Sequence, residues 1–145
     1  MEMERKALTF FYATTKVMRA WHDRKKMLEV PLFPSYIFVY LHAMTDYFDA
    51  KSLDGVLGFV HFGNEVARVS DKVVSDLKFI IAHGEDIEVS STRFPAGQQL
   101  NINQGAFSGL ACEVVEHKHK RKVLVRINIL NRVVLADIAA TSLIA

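Results

Sequence analysis

The stretch from Val30 to Leu41 reads VPLFPSYIFVYL, and it decides the fold predicted for the amino-terminal half of the chain. Pro31 and Pro34 fix the backbone φ angle and remove two hydrogen-bond donors, so this entrance to a strand does not suit the middle of a β-ladder. Beyond Pro34, period-two spacing places three aromatic rings on one face of the strand, namely Tyr36, Phe38 and Tyr40. One face of this strand therefore belongs to a core, and the other needs cover or a partner.

Outward from this stretch, the pattern predicts strands and helices on both sides. Leu8 to Met18 and Met27 to Leu41 read as two strands of a hairpin, with RAWHDRKK as its basic tip. Thr45 is suited to cap a helix that runs to about Leu53, and its inward side chains would be Tyr47, Phe48 and Leu53. A strand over Leu57 to Phe62 follows. Ser70 then caps a helix that Gly84 closes, with an apolar stripe of Val73, Val74, Leu77, Ile80 and Ile81.

The carboxy-terminal third changes to short strands. Residues 83–94 are polar and acidic and read as a linker. Four strands are predicted after Pro95, at Gln98–Asn103, Leu110–His117, Val123–Ile129 and Val133–Ile138. In the third, alternation puts Val123, Val125 and Ile127 on one core-facing side. Short strands with turn signals at this spacing are typical of a small antiparallel barrel, so we expect residues 95–145 to fold as a separate domain.

Composition and charge limit the classes of protein. The chain has 145 residues, half of them hydrophobic, and a formal net charge of +2, which is too small to indicate nucleic-acid binding by itself. Basic residues outnumber acidic ones in residues 1–30 and 95–145, whereas acidic residues dominate between them. The single cysteine, Cys112, excludes an internal disulfide. No apolar run reaches membrane length and no signal-peptide pattern is present, so we expect a soluble cytoplasmic protein without membrane contact.

Taken in order, the motifs resemble those of the NusG family of bacterial transcription elongation factors. They are PLFPSYIFV, then GVLGFVHFG at 55–63, then GQQLNINQGAF and VLVRINILNR in the carboxy-terminal third. The resemblance runs from about residue 8 to the end. It is closer to specialised antitermination paralogues of the RfaH or UpxY kind than to housekeeping NusG. It implies an α+β protein, with an NGN-like antiparallel sheet and helices at 1–82, a linker at 83–94, and a KOW domain, a small SH3-like β-barrel, at 95–145.

The sequence departs from the family pattern at two places. The first strand and most of the first helix of an NGN domain have no counterpart before Leu8, which leaves an unpaired sheet edge available for association. Cys112 stands where a KOW repeat usually has glycine. A small thiol replaces glycine there only where the backbone avoids positive φ.

The resemblance implies a transcription elongation and antitermination factor that binds RNA polymerase and suppresses pausing or termination. Its NGN domain would grip the polymerase clamp helices through an aromatic patch of Tyr36, Phe38 and Phe62, although these rings also suit an ordinary core. The hairpin tip would lie near upstream or non-template DNA. The residues suited to neutralise phosphates or stack on a base are Arg19, Trp21, His22, Arg24, Lys25 and Lys26; a solvated turn is the other interpretation.

In the carboxy-terminal domain, the resemblance implies an apolar loop that contacts a small-subunit ribosomal protein or the termination factor Rho. Its residues would be Phe107, Ile129, Leu130 and Arg132. Leu130 and Asn131 stand where phenylalanine and glycine are often found. The basic run from His117 to Lys122 reads as a solvated turn, and no residues have convincing metal-ligand spacing.

Enzymatic functions find no support in the sequence. Cys112 has no predictable histidine partner, the acidic residues form no recognisable catalytic pair, and no phosphate-binding glycine loop is present. We therefore expect no catalytic residues, no metal and no cofactor. The alternative function is a KOW-containing RNA-binding or ribosome-associated protein, in which the basic turns would contact RNA and the aromatic residues would be core.

Overall fold

The computed structural model describes residues 7–102, 111–137 and 143–144. The chain divides into two compact units between Ala67 and Arg68. Over the described ranges it combines two α-helices with antiparallel strands, which confirms the predicted α+β class. Neither of these helices is long and apolar enough to cross a membrane.

The described part of the first unit contains one helix and short strands. These elements are β1 (Thr9–Phe11), β2 (Thr14–Ala20), β3 (Lys25–Pro31), β4 (Phe38–Tyr40), α1 (Met44–Lys51), β5 (His61–Phe62) and β6 (Glu65–Val66). The strands pair as three separate antiparallel ladders, β1 with β4, β2 with β3, and β5 with β6. From residue 7 onward, the first unit therefore differs from the single continuous sheet that the family resemblance implies.

The predicted strand Met27–Leu41 is wrong because a turn interrupts it. The Tyr36 amide donates a 3.0 Å hydrogen bond to the carbonyl of Phe33. Pro34 takes the second position of this four-residue turn, and Ser35 takes the third with φ at +72°. Proline followed by a residue with positive φ is the arrangement of a type II turn. The turn separates β4 from β3, whose last residue paired with β2 is Pro31.

The helix α1 begins two residues earlier than predicted, and Thr45 lies inside it instead of capping it. Ala43 occupies the N-cap position without a side-chain hydrogen bond. Asp46 in the first turn accepts a 2.8 Å bond from the His42 amide, which holds the incoming chain. Leu53 is buried as predicted, but Phe48 is 60% exposed and does not face inward.

The core of the first unit is a small cluster with partial cover. Leu8, Ala50 and Leu53 are buried, and the partly buried side chains around them are Phe10, Ile37, Val39, Val56 and Phe59. The predicted strand Leu57–Phe62 is reduced to β5. Gly55 and Gly58, with φ at +85° and +140°, take conformations outside the strand region, so the chain before β5 does not form a ladder.

The second unit is a sheet with a helix. Its described elements are α2 (Asp71–His83), β7 (Glu85–Ser90), β8 (Gln98–Ile102), β9 (Ala111–His117), β10 (Lys120–Ile127), a 3₁₀ turn (Asn128–Leu130), β11 (Arg132–Asp137) and β12 (Leu143–Ile144). The strand order is β12-β8-β9-β10-β11-β7, and every neighbouring pair is antiparallel.

The four predicted carboxy-terminal strands form as β8 to β11. β10 begins three residues and ends two residues earlier than predicted, and β11 begins one residue earlier. The predicted ends at Asn103, Leu110 and Ile138 lie outside the described residues. Two strands were missed. Residues 85–90, predicted as part of a linker, form β7 instead, which pairs with β11. β12 pairs with β8 at the opposite end of the order. A closed barrel requires the two ends to pair, and the described residues show no pairing of β12 with β7.

The helix α2 has the predicted cap and stripe. The Ser70 Oγ accepts a 3.2 Å hydrogen bond from the Val73 amide, and Leu77 and Ile80 are completely buried. The helix lies against β10 within the second unit. The compact units thus divide before α2, whereas the family resemblance places this helix in the first domain; the domain limits at residues 82 and 95 stay a prediction.

Both faces of β10 are buried. Val123, Val125 and Ile127 share one face, as predicted, and they are at most 5% exposed. Leu124 lies on the opposite face, in a cluster with Val133 and Leu135 that Phe94 and Val115 cover. Because a solvated outer face would leave alternate residues exposed, this burial shows that the sheet is packed on both sides.

The sheet curls toward the Leu124 face. A 3.2 Å contact joins Glu88 Oε1 on β7 to His117 Nε2 on β9, although β10 and β11 separate these strands in the sheet order. Neighbouring strands lie about 4.8 Å apart, so a flat sheet would hold the two strands far beyond contact distance. The ring of His117 also meets Phe94 edge to face, with centroids 5.2 Å apart.

Candidate functional site

The β2–β3 hairpin forms a basic arm whose register is fixed by a tight turn. The Trp21 amide donates a 2.6 Å bond to the Arg24 carbonyl, and the reverse bond is 3.4 Å. His22 and Asp23 form the two-residue connection. Directly paired residues place their side chains on the same face of a ladder, so Trp21 and Arg24 project together. The Arg24 guanidinium carbon lies 5.6 Å from the centre of the Trp21 ring, within cation–π distance.

The same alternation assigns the other cations of the tip. Arg19 pairs with Lys26 and shares the face of Trp21 and Arg24, because each lies two residues farther along its strand. We call this the basic face, defined by Arg19, Trp21, Arg24 and Lys26. Lys25 pairs with Ala20 and projects from the opposite face. All six candidate residues of the arm stay a prediction. The register places Lys25 on the face opposite the basic face, and His22 lies in the two-residue connection.

The cations of the arm are available to an outside partner. Arg19, Arg24, Lys25 and Lys26 are exposed, and no ion pair to a carboxylate involves them in the described part of the chain. Trp21 is also exposed. An exposed indole beside unneutralised cations has the chemistry to bind phosphates and stack on a base.

The three aromatic residues predicted to face the polymerase differ in their surroundings. Tyr36 is 46% exposed and Phe62 is 81% exposed, as an interaction surface requires. Phe38 is half-buried; its ring stacks on Phe11 at 5.9 Å and meets Phe33 edge to face at 6.0 Å. No ring contact joins Phe62 to Tyr36 or Phe38 among residues 7–102. Phe38 therefore supports the fold, whereas the other two are open to solvent.

Sequence reasoning missed an apolar loop beside Phe62. Leu57 is fully exposed and Val60 is partly exposed, although both belong to a segment predicted as a strand. Gly58 inside this segment and Gly55 just before it were the available signal, because glycine weakens a strand and leaves its apolar residues without partners. These side chains add to the exposed apolar surface of the first unit.

The predicted carboxy-terminal loop lies in the 3₁₀ turn and the residues after it. Leu130 is half-buried and Arg132 is exposed, with the Arg132 guanidinium bonded to the carbonyls of Leu130 and Asn131. Asn131 takes the left-handed conformation at φ +54°, which asparagine tolerates better than most residues and which explains its place in a glycine position. Phe107 and the side chain of Ile129 lie outside the described residues.

The basic run from His117 to Lys122 is largely neutralised by acidic neighbours. Lys118 lies 3.6 Å from Glu88, and both Lys120 and Lys122 contact the carboxylate of Asp137. Lys118 and His119 have positive φ angles, as the two central residues of a type I′ hairpin turn do. These ion pairs favour a structural role for this turn rather than a role as an RNA-binding patch.

Burial controls the chemistry of the one thiol. Cys112 lies in β9, is 5% exposed, and is not among the residues with positive φ. Burial raises its pKa to about 11, with Asp76 adding to the shift. A thiol with this pKa stays protonated at neutral pH, and the thiolate is the nucleophilic form.

In the described ranges, no three histidine, cysteine or acidic side chains lie close enough to hold a metal.

Comparison with known proteins agrees with the motifs of the first unit. A family model described as transcription termination factor nusG matches residues 1–78, more than half of the chain. The chain belongs to the NusG family. The matched range contains the basic arm and the exposed aromatic residues, and it ends inside α2.

Two curated relatives carry the same family name. Proteins called transcription termination/antitermination protein NusG, from Chlamydia trachomatis serovar D and from Chlamydia muridarum, are each 28% identical to this chain over 115 residues. The alignments cover 77% of this chain and 63% of each relative. The chain thus spans less than two thirds of the length of these NusG proteins.

Proposed function

We propose that the protein is a transcription elongation and antitermination factor that binds RNA polymerase in the bacterial cytoplasm and suppresses pausing or termination. The observation that carries the proposal is membership of the NusG family through residues 1–78. The relatives are named for termination and antitermination, which supports a role in the same process. The role consists of binding and involves no chemical turnover.

The polymerase clamp helices would contact the exposed aromatic surface of the first unit. Tyr36 and Phe62 supply accessible rings, and aromatic side chains are frequent anchors in protein interfaces. Phe38 would position Tyr36 through its packing on Phe33 rather than make the main contact. Binding that favours the active, closed clamp over the paused state shifts the population of polymerase toward elongation.

The basic face would contact upstream duplex DNA or the exposed non-template strand. Arg19, Arg24 and Lys26 provide phosphate contacts, and Trp21 provides a stacking surface. Support comes from their shared orientation on one side of the arm. In the described part of the chain, no ion pair to a carboxylate involves these three cations. This contact would hold the factor on polymerase beside the transcription bubble.

The carboxy-terminal residues 95–145 would act as a KOW domain of the small-barrel type. Leu130 and Arg132, with Phe107 and Ile129, would form the surface for a small-subunit ribosomal protein or for Rho. The exposed guanidinium of Arg132 beside Leu130 is consistent with such a contact. The RfaH or UpxY kind of specialised factor remains our preferred subdivision.

The second candidate is a KOW-containing RNA-binding or ribosome-associated protein. It requires free cations in the basic turn, and the ion pairs of Lys118, Lys120 and Lys122 argue against it. Direct competition separates the two functions. In the favoured case, the purified protein binds core RNA polymerase more tightly than it binds structured RNA.

The decisive experiment is capture of the polymerase of the source bacterium by the full chain, followed by a pausing assay on a single template. We expect wild-type protein to capture polymerase and shorten pauses, and a Tyr36→Ser/Phe62→Ser variant to lose both effects. A Phe48→Ser variant serves as the control, because Phe48 is also exposed, at a level between those of Tyr36 and Phe62, but lies on α1. Tight RNA binding without polymerase capture would support the second candidate instead.

A further inference from the structure

The tip of the β2–β3 hairpin does not use the turn geometry that two-residue connections favour. Hairpins with such connections favour type I′ and II′ turns, in which one or both central residues have positive φ. Neither His22 nor Asp23 is among the described residues with positive φ. The Arg24 amide lies 3.4 Å from the Trp21 carbonyl, which is long for a hydrogen bond. The backbone therefore joins Trp21 to Arg24 mainly through the 2.6 Å bond from the Trp21 amide.

The side chains of Trp21 and Arg24 supply a second link. The Arg24 guanidinium carbon lies over the indole, 5.6 Å from the ring centre. Tryptophan is the ring that attracts a cation most strongly, and the flat guanidinium stacks on aromatic faces. Over residues 7–102, 111–137 and 143–144, no carboxylate forms an ion pair with Arg24 that would draw it away from the ring. An indole with a cation on one face has fewer orientations than a free one, so Arg24 orients the Trp21 ring.

The Trp21 ring is oriented but still accessible. Trp21 is 45% exposed with the guanidinium in place, so part of its surface is available for a second flat ring to stack on. Arg24 also keeps hydrogen-bonding capacity, because a guanidinium that stacks through its face still donates N–H groups from its edge. The pair therefore offers a stacking surface and a phosphate donor at one point of the arm.

The rest of the basic face suits the backbone of a single strand. Arg19 and Lys26 are directly paired, and they lie two residues farther from the tip than Trp21 and Arg24 do. Two residues span about 6.6 Å along a strand, so these cations can bind a phosphate next to a nucleotide that stacks on Trp21. Bases inside a duplex stack on their neighbours through both faces, whereas an unpaired base offers a face to an aromatic side chain. The basic face therefore matches single-stranded DNA better than duplex DNA.

We propose that Arg24 is a positioning residue, which holds the Trp21 indole for stacking on one unpaired base and so makes the basic face selective for single-stranded over duplex DNA. This inference rests on the proposed contact between the basic face and DNA, and it narrows that contact to the exposed non-template strand. Every base has a π-face on which an indole can stack. The contact should therefore tolerate many base sequences.

The test uses the fluorescence of Trp21, which is the one tryptophan of the chain. The full chain is titrated at low salt with an oligothymidine of about twelve nucleotides and with a duplex of the same length. We expect the single strand to quench the Trp21 emission and to bind about tenfold more tightly than the duplex, because only the single strand gains the stacking contact. Equal affinity for the two, no binding, or binding of the single strand without quenching would overturn the proposal. Tighter binding of oligouridine than of oligothymidine would assign the site to RNA and would also overturn it.

Exchanges between arginine and lysine separate positioning from charge. Arg24→Lys keeps the positive charge but loses the flat stacking group, so we expect about threefold weaker binding and reduced quenching, with the salt dependence unchanged. Lys26→Arg is the matched control, because it makes the reverse exchange on the same face, and it should leave the quenching unchanged. The ¹⁵N spectra of both variants check that the register of β2 and β3 persists. Wild-type quenching and affinity in the Arg24→Lys variant would overturn the positioning role.

The outcomes distinguish this inference from the proposed function. The DNA titrations contain no polymerase, whereas polymerase capture and the pausing assay test the proposed function. Capture of polymerase together with equal binding of single strand and duplex would overturn the positioning role of Arg24 alone. Selective quenching by the single strand without polymerase capture would support the positioning role and contradict the polymerase-binding function.

Discussion

Asp137 lies directly opposite Lys122 in the β10–β11 ladder, and a 2.6 Å salt bridge joins Asp137 Oδ1 to Lys122 Nζ. The Lys122 side chain is only 5% exposed, so its ammonium group is almost fully removed from water. The hydrogen bond from Lys122 lowers the pKa of Asp137, and the charge of Lys120 acts in the same direction. Folding therefore favours the ionised carboxylate of Asp137.

This pair predicts a loss of stability in acid. Because the native pKa of Asp137 lies below its unfolded value, the stabilisation is complete above the ordinary carboxyl pKa and is lost as pH falls through the lowered native pKa. Urea unfolding over a pH series should show a smaller acid loss for a Lys122→Met/Asp137→Leu variant than for wild type. Glu113, whose pKa Arg126 lowers, contributes equally to both proteins. Identical acid profiles would contradict the assignment.

Single substitutions at Asp137 and Lys120 should distinguish the contribution of a buried cation to stability from that of an exposed one. Asp137→Asn leaves the Lys122 ammonium buried without its counterion, and we expect it to lower the free energy of unfolding by about 1–3 kcal/mol at neutral pH. Lys120→Ala is the matched control, because Lys120 is largely exposed and lies 3.5 Å from the same carboxylate. An exposed partner contributes little, so its loss should change stability only slightly.

The register of the arm predicts unequal effects from neighbouring lysines. Lys26→Ala, on the basic face, should weaken DNA binding and reduce the slope of log affinity against log salt by about one unit. Lys25→Ala removes an equal charge from the opposite face and should reduce the slope less. Fluorescence anisotropy with a labelled single strand over a salt series measures both. Equal slopes for the two variants would show that the face has no role.

The sequence predicted the arm, α2 and the four strands β8 to β11, because each has strong local signals. It could not predict the break at Phe33 to Tyr36, since Ser35 takes a positive φ that usually signals glycine. The apolar stripe of α2 shows that one face is buried but does not identify the sheet that covers it. The sequence did not predict β7 because its acidic residues obscure the alternation of apolar and polar side chains. An edge strand tolerates such charges, and a linker carries them as well.

The candidate site was predictable only as a set of residue types. Composition identified the cations and the indole of the arm, and the structure assigns them to two faces through a two-residue connection that the sequence does not specify. The aromatic set was predicted as one patch, but Phe38 packs against Phe11 and Phe33. Period-two spacing cannot distinguish an exposed face from a half-buried one, because both follow the same alternation.

The aromatic residues should therefore separate binding from stability. Phe38→Ser removes a half-buried ring with two aromatic partners and should lower the free energy of unfolding by about 1–3 kcal/mol. Phe62→Ser should leave stability unchanged and weaken polymerase binding, because this ring is mostly exposed. Urea unfolding and polymerase capture test the two effects on the same proteins. If the Phe62→Ser variant binds polymerase as tightly as the wild-type protein does, then Phe62 is not part of the interface.

Leu130 tests the proposed carboxy-terminal contact. Leu130→Asp should abolish binding to the small-subunit ribosomal protein or Rho, because a carboxylate opposes burial of this apolar position in an interface. Leu130→Met keeps the apolar character and should retain most of the affinity. Titration of ¹⁵N-labelled protein with each partner locates the contact, and far-ultraviolet circular dichroism checks the fold. Shifts away from residues 128–132 would contradict the proposed surface.

The burial of both faces of β10 predicts which carboxy-terminal fragment folds. Residues 68–145 retain α2 and β7, whereas residues 95–145 lose both, which uncovers Val123, Val125 and Ile127 and leaves β11 with an open edge. We therefore expect fragment 68–145 to unfold cooperatively in urea and fragment 95–145 to be much less stable. Each buried aliphatic side chain returned to water costs about 1.5–3 kcal/mol, which is a large share of the stability of a small domain.

A substitution of a buried residue on α2 tests whether this helix stabilises fragment 68–145. Leu77 is completely buried on α2, and Leu77→Ala should lower the stability of fragment 68–145 by about 2–5 kcal/mol. Val74→Ala, at a half-buried position on the same helix, should have a smaller effect. If fragment 95–145 instead unfolds cooperatively with the stability of fragment 68–145, then α2 and β7 are not needed and the strands after Pro95 form a self-sufficient domain.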